Sequence, residues 1–290
     1  MKKFEVSGLV ASILPEGERN LIWHDEFDGK ELDETKWAKR THMMGKRAEQ
    51  WVEDAYELDG NGNLVFKLER RGEQYCSTQL QTGYNYMDAP AEEYDTTAAE
   101  NRKEEKKSKN YYQWPIGEIK EPKFMHKYGY YECRCKMPQK EGWWCAFWLQ
   151  SPIIGSTLNP EFSGVEVDIM EQFWRTKYEP HHVIQHNNHW NGYGSQHKST
   201  GDHRVKLKDT EDGFHTFAVD WPPEYYRYYV DGEMTWELKA PYPISQTEQF
   251  LLVSTEVIGY RSSEWTQWED LEEAVGDTFV VDYVRVFDRI

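Results

Sequence analysis

Hydrophobic residues along this chain recur mainly with a period of two, in short runs set apart by Gly, Asn, Asp and Pro. That spacing sends alternate side chains to opposite faces of an extended chain and predicts strands rather than helices. Strands are expected over Asn63–Glu69, after the turn cluster Asp59-Gly60-Asn61-Gly62, and over Tyr128–Met137, Phe214–Trp221 and Arg227–Val230. Asp231-Gly232 is a hairpin turn signal that leads into Glu233–Leu238. Phe250–Val253 and Phe279–Phe287 close the series. The last of these lacks clean alternation, as expected of a central strand buried on both faces. Many short strands with regular turns predict an all-β sandwich.

One segment departs from the pattern. Tyr84 to Trp114 holds Asp88-Ala89-Pro90 and the charge-mixed run Asn101–Lys109, and reads as an inserted loop. Its aromatic residues, Tyr84, Tyr86, Tyr94, Tyr111, Tyr112 and Trp114, are too many for a plain disordered linker, so it is expected to wall a cleft. No repeat or linker divides the chain, and residues 1–290 are expected to form one domain.

Composition narrows the function. With 51 acidic against 34 basic residues the formal charge is −17, which argues against nucleic acid and against anionic membranes. No apolar run approaches the ~18 residues of a membrane helix. Thirteen Trp in so polar a chain suit either core filling or a cleft whose rings stack on sugars. Cys76, Cys133, Cys135 and Cys145 make no disulfide framework, since Cys133 and Cys135 share one strand face. The N-terminus is a weak signal-peptide candidate, interrupted by Glu5, and reads as mature chain.

The segment Glu166-Val167-Asp168-Ile169-Met170-Glu171 carries the most chemistry. In a strand, Glu166 and Asp168 point the same way and Glu171 points the other way. One extra residue at Ile169-Met170, a β-bulge, brings Glu171 back to their face. Three carboxylates on one face repel, so the arrangement is a poor structural element. It suits a retaining glycosidase, which needs an ionised nucleophile and a protonated acid ~5–5.5 Å apart. Mutual repulsion raises the acid's pKa and keeps it protonated.

At this point the chain resembles glycoside hydrolase family 16. The resemblance rests on that bulged motif, on Leu21–Gly29 with Leu32-Asp33 and Lys36-Trp37, on Asp59–Val65, on Tyr128–Pro138 and Gly142–Leu149, on Phe214–Trp221 with Tyr229–Gly232, and on Val281–Val286. It implies a β-jelly-roll sandwich of two antiparallel sheets with substrate across a concave face. It implies Glu166 as nucleophile, Glu171 as acid/base and Asp168 tuning both. It implies polysaccharide as partner and no organic cofactor or catalytic metal; some relatives carry a structural calcium, for which nothing in the sequence identifies ligands.

Further candidates follow from placement. Trp144, Trp148 and Trp174 are expected to stack on sugars, and Trp143, of opposite parity to Trp144, to face away. Asn187 and His189 share a face of the next strand. His181, His182, His186 and His189 cluster in sequence, but His186 and His189 have opposite strand parity and no zinc spacing is present. Arg47 and Glu49 are expected near the glycone end. The expected function is a retaining endo-glycosidase of β-1,3- or mixed-linked glucan, or of a β-galactan, acting as a monomer. A non-catalytic carbohydrate-binding module needs the aromatics but neither Glu166 nor Glu171; a transglycosylase uses the same residues. A substrate of this class places the enzyme outside the cell or in the periplasm, although the chain shows no convincing signal peptide.

Overall fold

The computed structural model describes residues 1–6, 8–43, 46–88, 120–173, 182–257 and 268–290. Among these residues, two eight-stranded antiparallel sheets dominate. The front sheet runs, edge to edge, Lys198–Ser199, Val183–Trp190, Glu166–Phe173, Trp143–Gln150, Phe250–Val257, Gln79–Gln81 and Ala38–Lys39; His203–Lys206 also pairs with Val183–Trp190. The back sheet runs Glu233–Lys239, Tyr225–Val230, His215–Trp221, Gly129–Lys136, Thr278–Arg289, Leu64–Lys67 and Tyr56–Leu58, with Arg19–Asp25 also on Thr278–Arg289. Sequence neighbours switch between sheets, which is the crossing pattern of a jelly roll.

The main core lies between the sheets. Phe147, Val167, Ile169, Met170 and Val253 enter it from the front, and Cys133, Phe217, Tyr228, Val281 and Val284 from the back. Strand parity is clean along Trp143–Gln150. Trp143, Cys145, Phe147 and Leu149 point into this core, while Trp144, Ala146, Trp148 and Gln150 point to the outer face of the front sheet. All four cysteines are buried free thiols.

The turn signal at Asp231-Gly232 holds, with both residues in the left-handed region at φ 50° and 78°. That geometry matches a type I′ hairpin, which Asp-Gly accepts at little cost. The closing strand extends further than expected, over Thr278–Arg289, and is central: it pairs with Gly129–Lys136 on one side and with Leu64–Lys67 and Arg19–Asp25 on the other. Its burial on both faces has a specific cause. The hairpin Lys2–Phe4/Ser12–Leu14 covers the outer face of the back sheet, where Leu14, Tyr130, Ala218, Tyr229 and Phe287 form a second cluster with Phe4 packed on it.

Under this hairpin Arg285 is fully buried. Its guanidinium grips both oxygens of Glu26, at 2.8 and 2.7 Å, and donates to Val10 O and Ser12 Oγ, both at 2.8 Å. The bidentate fork is the geometry that best offsets the desolvation of both ions. Of the inserted loop, Tyr86–Asp88 form a short 3-10 turn. Residues 89–119 lie outside the described residues, and with them the expectation that the loop walls the cleft.

Glu26→Ala leaves the Arg285 charge buried without its carboxylate and is expected to lower the unfolding free energy by about 3–5 kcal/mol. Urea denaturation measures it. A loss below about 1 kcal/mol, the scale of an exposed pair, would show that the fork does not brace the back sheet.

Candidate active site

The bulge expected from sequence is present. On one side of Glu166–Phe173, Phe147 pairs with Met170 but Trp148 pairs with Asp168. On the other side, Asp168 pairs with Asn187 and Glu171 with Gln185, so three steps along the carboxylate strand match two on its neighbour. Ile169 and Met170 both enter the core. Glu166, Asp168 and Glu171 consequently line one cavity on the outer face of the front sheet, with a volume of about 360 Å³.

The three carboxyls have different surroundings. Glu166 is half-buried, and its Oε2 accepts hydrogen bonds from Gln150 Nε2 at 3.1 Å and from the Tyr193 hydroxyl. Glu171 is buried; its Oε1 accepts from Trp144 Nε1 at 3.1 Å and its Oε2 from Gln185 Nε2 at 3.3 Å. Burial, reinforced by the negative charge of Asp168, holds the Glu171 carboxyl well above the usual carboxylate range. That surrounding favours the protonated form of the carboxyl. Burial and then Glu166 push Asp168 up to about 7, against the opposing pull of His189.

His189 stands directly opposite Glu166 in the ladder, with Nε2 3.3 Å from Asp168 Oδ2. Burial alone would lower its pKa. The hydrogen bond and charge of Asp168, with Glu166 behind it, outweigh burial and push it up to about 10. Its Nδ1 lies 2.8 Å from Nε2 of His197, so an imidazole pair extends the carboxylate row to the cleft rim. Burial and the neighbouring His189 hold His197 low, which suits the acceptor side of that contact.

Other expected residues divide. Trp144 lines the cavity and packs on Phe173 at 4.2 Å between ring centroids. Trp148 lines it too, with Nε1 donating to Ser254 Oγ at 2.9 Å. Asn187 lines it, and its Oδ1 accepts from Thr200 Oγ1 at 2.9 Å. Arg47 and Glu49 are a correction: both are exposed, neither lines the cavity, and Arg47 lies 3.6 Å from Glu53. The short hairpin His42–Met43/Lys46–Arg47 presents Met43 to the cavity instead. Trp174 lies outside the described residues.

A guanidinium that does line the cavity is that of Arg40. It is buried, donates from Nε to Asp88 Oδ2 at 2.7 Å and from Nη1 to Gln79 Oε1 at 3.2 Å, and lies over the rings of Trp51 and Trp148 at 4.9 and 5.4 Å. Tyr193 arrives on a tight turn, with Asn191 and Gly192 at φ 64° and 67°. A Cβ on Gly155 would meet Gly192 Cα at 2.5 Å, so the chain seats this turn by glycine-to-glycine contact.

Among the described residues, one group offers three metal-ligating side chains within 4.8 Å: Glu166, Asp168 and His189. These donors are already committed, Glu166 to Tyr193 and Gln150, and Asp168 to a protonated His189 that has no lone pair to give at Nε2. With His189 protonated, the group fits acid–base chemistry better than a cation.

Residues 50–273, which include the whole carboxylate strand, match the family model for glycosyl hydrolases family 16. The chain belongs to that family. Its relatives include a glucan endo-1,3-beta-glucosidase A1 of Niallia circulans, 25% identical over 92% of this chain and 38% of that protein. A beta-glucanase of Rhodothermus marinus is 25% identical over 92% of this chain and 84% of that protein. The chain thus spans well under half of the first relative's length and most of the second's. The laminarinase of Flavobacterium sp. UMI-01 superposes with a TM-score of 0.65 at 21% identity, over 93% of this chain and all of that one. The catalytic domain of a laminarinase from Thermotoga petrophila RKU-1 gives 0.62 at 20%, over 94% and 99%. At such identities the structural likeness carries the fold, an all-β sandwich.

In this family 16 chain, Gln150, Gln185, Tyr193, His197 and Arg40 escaped the sequence reading. Gln150 had a signal, since it shares parity with Trp144 and Trp148. Arg40 sits one residue past a two-residue strand and Tyr193 in a loop, where no periodicity points.

The electrostatics give a signed expectation. Asp168→Asn removes a charge that raises the Glu171 pKa. It also releases His189, whose charge lowers that pKa, but the Asp168 effect is the larger of the two. The alkaline limb of the kcat/KM profile, set by protonated Glu171, is therefore expected to move to lower pH. A limb that stays in place or moves upward would show that Asp168 does not hold the proton on Glu171.

Proposed function

We propose that the protein is a retaining, endo-acting glycoside hydrolase whose substrate is a β-1,3- or mixed-linked β-1,3-1,4-glucan. The observation that carries this reading is the pairing, on one face of one bulged strand, of a half-buried Glu166 with a buried Glu171 whose carboxyl is held above the usual carboxylate range. A nucleophile and an acid must differ in protonation at one pH, and different surroundings supply that difference. Relatives named as a glucan endo-1,3-beta-glucosidase and a beta-glucanase support glucan over β-galactan. A binding module would need neither glutamate. A transglycosylase shares the same first step and differs in what accepts the sugar.

The chemistry runs in two displacements. Glu166, steered by Tyr193 and Gln150 on Oε2, attacks the anomeric carbon through Oε1. The glycosidic bond breaks as Glu171 gives its proton to the leaving oxygen. Trp144 and Gln185 then stabilise the carboxylate that Glu171 becomes. That carboxylate takes a proton from water, and the resulting hydroxide oxygen displaces Glu166. Asp168 and the protonated His189 stand beside both steps as a pair of opposite charges without reacting. Residues 1–290 act as one catalytic domain in this reading, on a polymer too large to enter a cell. Among the described residues no helix is long and apolar enough to cross a membrane.

The cavity wall holds Asp88, Glu166, Asp168, Glu171, Asp202 and Glu256 against Arg40 and the protonated His189. Such a surface disfavours a densely sulfated chain. Hydrolysis is expected of laminarin and mixed-linked glucan and not of a sulfated galactan; a preference for the sulfated polymer that fades with added salt would reverse the substrate assignment.

Early products are expected to keep the β configuration by proton NMR. Glu166→Ala is expected to lose turnover while staying folded. Glu171→Ala is expected to spare an activated aryl glycoside, whose leaving group needs little protonation, and to recover partly with azide. An α-configured first product would remove the double displacement.

A further inference from the structure

His186 has no part in the chemistry above, yet it is fully buried and touches the bulge itself. It lies between Gln185 and Asn187, the residues that face Glu171 and Asp168 across the ladder, so it stands opposite the extra residue. Its neighbours in sequence point to the cleft; it points inward. There its Nδ1 lies 2.6 Å from the carbonyl oxygen of Ile169. A carbonyl can only accept, so Nδ1 carries the proton. On the far side, Nε2 lies 2.9 Å from Thr235 Oγ1, on the edge strand Glu233–Lys239 of the back sheet. The one hydroxyl proton lies between this Nε2 and the Tyr228 carbonyl oxygen, 3.2 Å away, and the shorter contact is to Nε2. Burial pushes the His186 pKa down to about 3, so the ring remains neutral and keeps this tautomer. Tyr228 stacks on one side at 4.8 Å between centroids, fixing the ring plane.

A bulge interrupts the ladder and leaves backbone groups without their regular partners. In a buried strand each such group needs a substitute. The side chain of His186 provides one at Ile169, two residues before Glu171, and ties it through Thr235 to the opposite sheet.

We propose that His186 is a positioning residue for the acid/base: its Nδ1–H bond to the Ile169 carbonyl locks the bulge that turns Glu171 onto the face of Glu166. The inference rests on the assignment of Glu171 as acid/base. It predicts that the donor at Nδ1, rather than ring volume or charge, is what the site requires.

The test compares His186→Phe, His186→Asn, His186→Gln and Thr235→Val on laminarin and on an activated aryl β-glucoside, beside wild type and Glu171→Ala. His186→Phe keeps a buried ring and loses the donor; kcat on laminarin is expected to fall about 10–100-fold, because a misplaced catalytic group costs that much. KM is expected to stay within about twofold, since binding contacts remain. The aryl substrate, which needs little acid, is expected to be spared, as in Glu171→Ala. Asn places its amide donor near the position of Nδ1 and is expected to recover most of the rate; Gln, whose amide reaches the level of Nε2, is not. Thr235→Val leaves the ring in place and loosens it, and is expected to give a smaller fall of the same kind.

Near-UV circular dichroism confirms folding, and any His186 variant that fails to fold leaves Thr235→Val to carry the comparison. Wild-type kcat in folded His186→Phe, or in Thr235→Val where it must stand alone, would overturn the inference. So would equal recovery by Gln and Asn, or equal losses on both substrates. If Glu171→Ala were itself fully active on laminarin, the acid/base assignment would fall instead, which separates the two failures.

Discussion

A β-strand sends successive side chains to opposite faces, so positions 166, 168 and 171 cannot share a face of a regular strand. The active-site arrangement depends on breaking that rule once. Doubling the count at Ile169-Met170 puts two consecutive apolar residues into the core and restores Glu171 to the face of Glu166 and Asp168. The break is stabilised from the core side. Burying both Ile169 and Met170 gains apolar area that a slipped register would lose, since a one-residue slip would turn core residues out to the cleft. The carboxylate geometry is thus held by hydrophobic packing beneath it more than by contacts within the cleft.

Once the carboxyls share a face, their repulsion has to be relieved. Three charges in a partly dry site cannot all persist at neutral pH, and the structure resolves this by depth. Glu171, buried beside Trp144 and Gln185, is the carboxyl held furthest toward its protonated form. Glu166, nearer solvent, receives two hydrogen-bond donors on one oxygen. Asp168 lies between them and is offset by a protonated His189. Burial, with the same repulsion added to it, sets Glu171 apart from the more exposed Glu166.

Much of this was legible because it depends on periodicity. The opposite parity of Trp143 and Trp144 and the shared face of Asn187 and His189 follow from counting by twos; the bulge at Ile169-Met170 follows from the resemblance of the carboxylate motif to that of the family. The closing strand was readable as central, although its cause, a hairpin from residues 2–14 laid over Arg285 and Phe287, joins segments more than 250 residues apart and leaves no local trace. Arg47, expected near the glycone end, is exposed, while Arg40 lines the cavity. Both lie in a stretch of two-residue strands, too short for alternation to tell inside from outside. Tyr193 was missed for a related reason: its position depends on left-handed residues at Asn191 and Gly192 and on close contact with Gly155, a backbone constraint that hydrophobic patterning does not encode.

His186 shows how the two sheets divide the work. Sequence set it beside His189 as one of four clustered histidines, and parity alone separates them. His189, facing the cleft, is protonated and balances charge. His186, facing the core three residues earlier, is neutral and balances backbone. One strand thereby delivers two imidazoles with opposite ionisation to opposite sides of the same bulge. Because Thr235 and Tyr228, which hold His186, belong to the back sheet, the geometry of the cleft is referred to the layer that substrate never touches. A sandwich suits that requirement: its front sheet can be exposed and chemically strained while the back sheet, sealed by the N-terminal hairpin and the Arg285–Glu26 fork, keeps the register against which the strain is held.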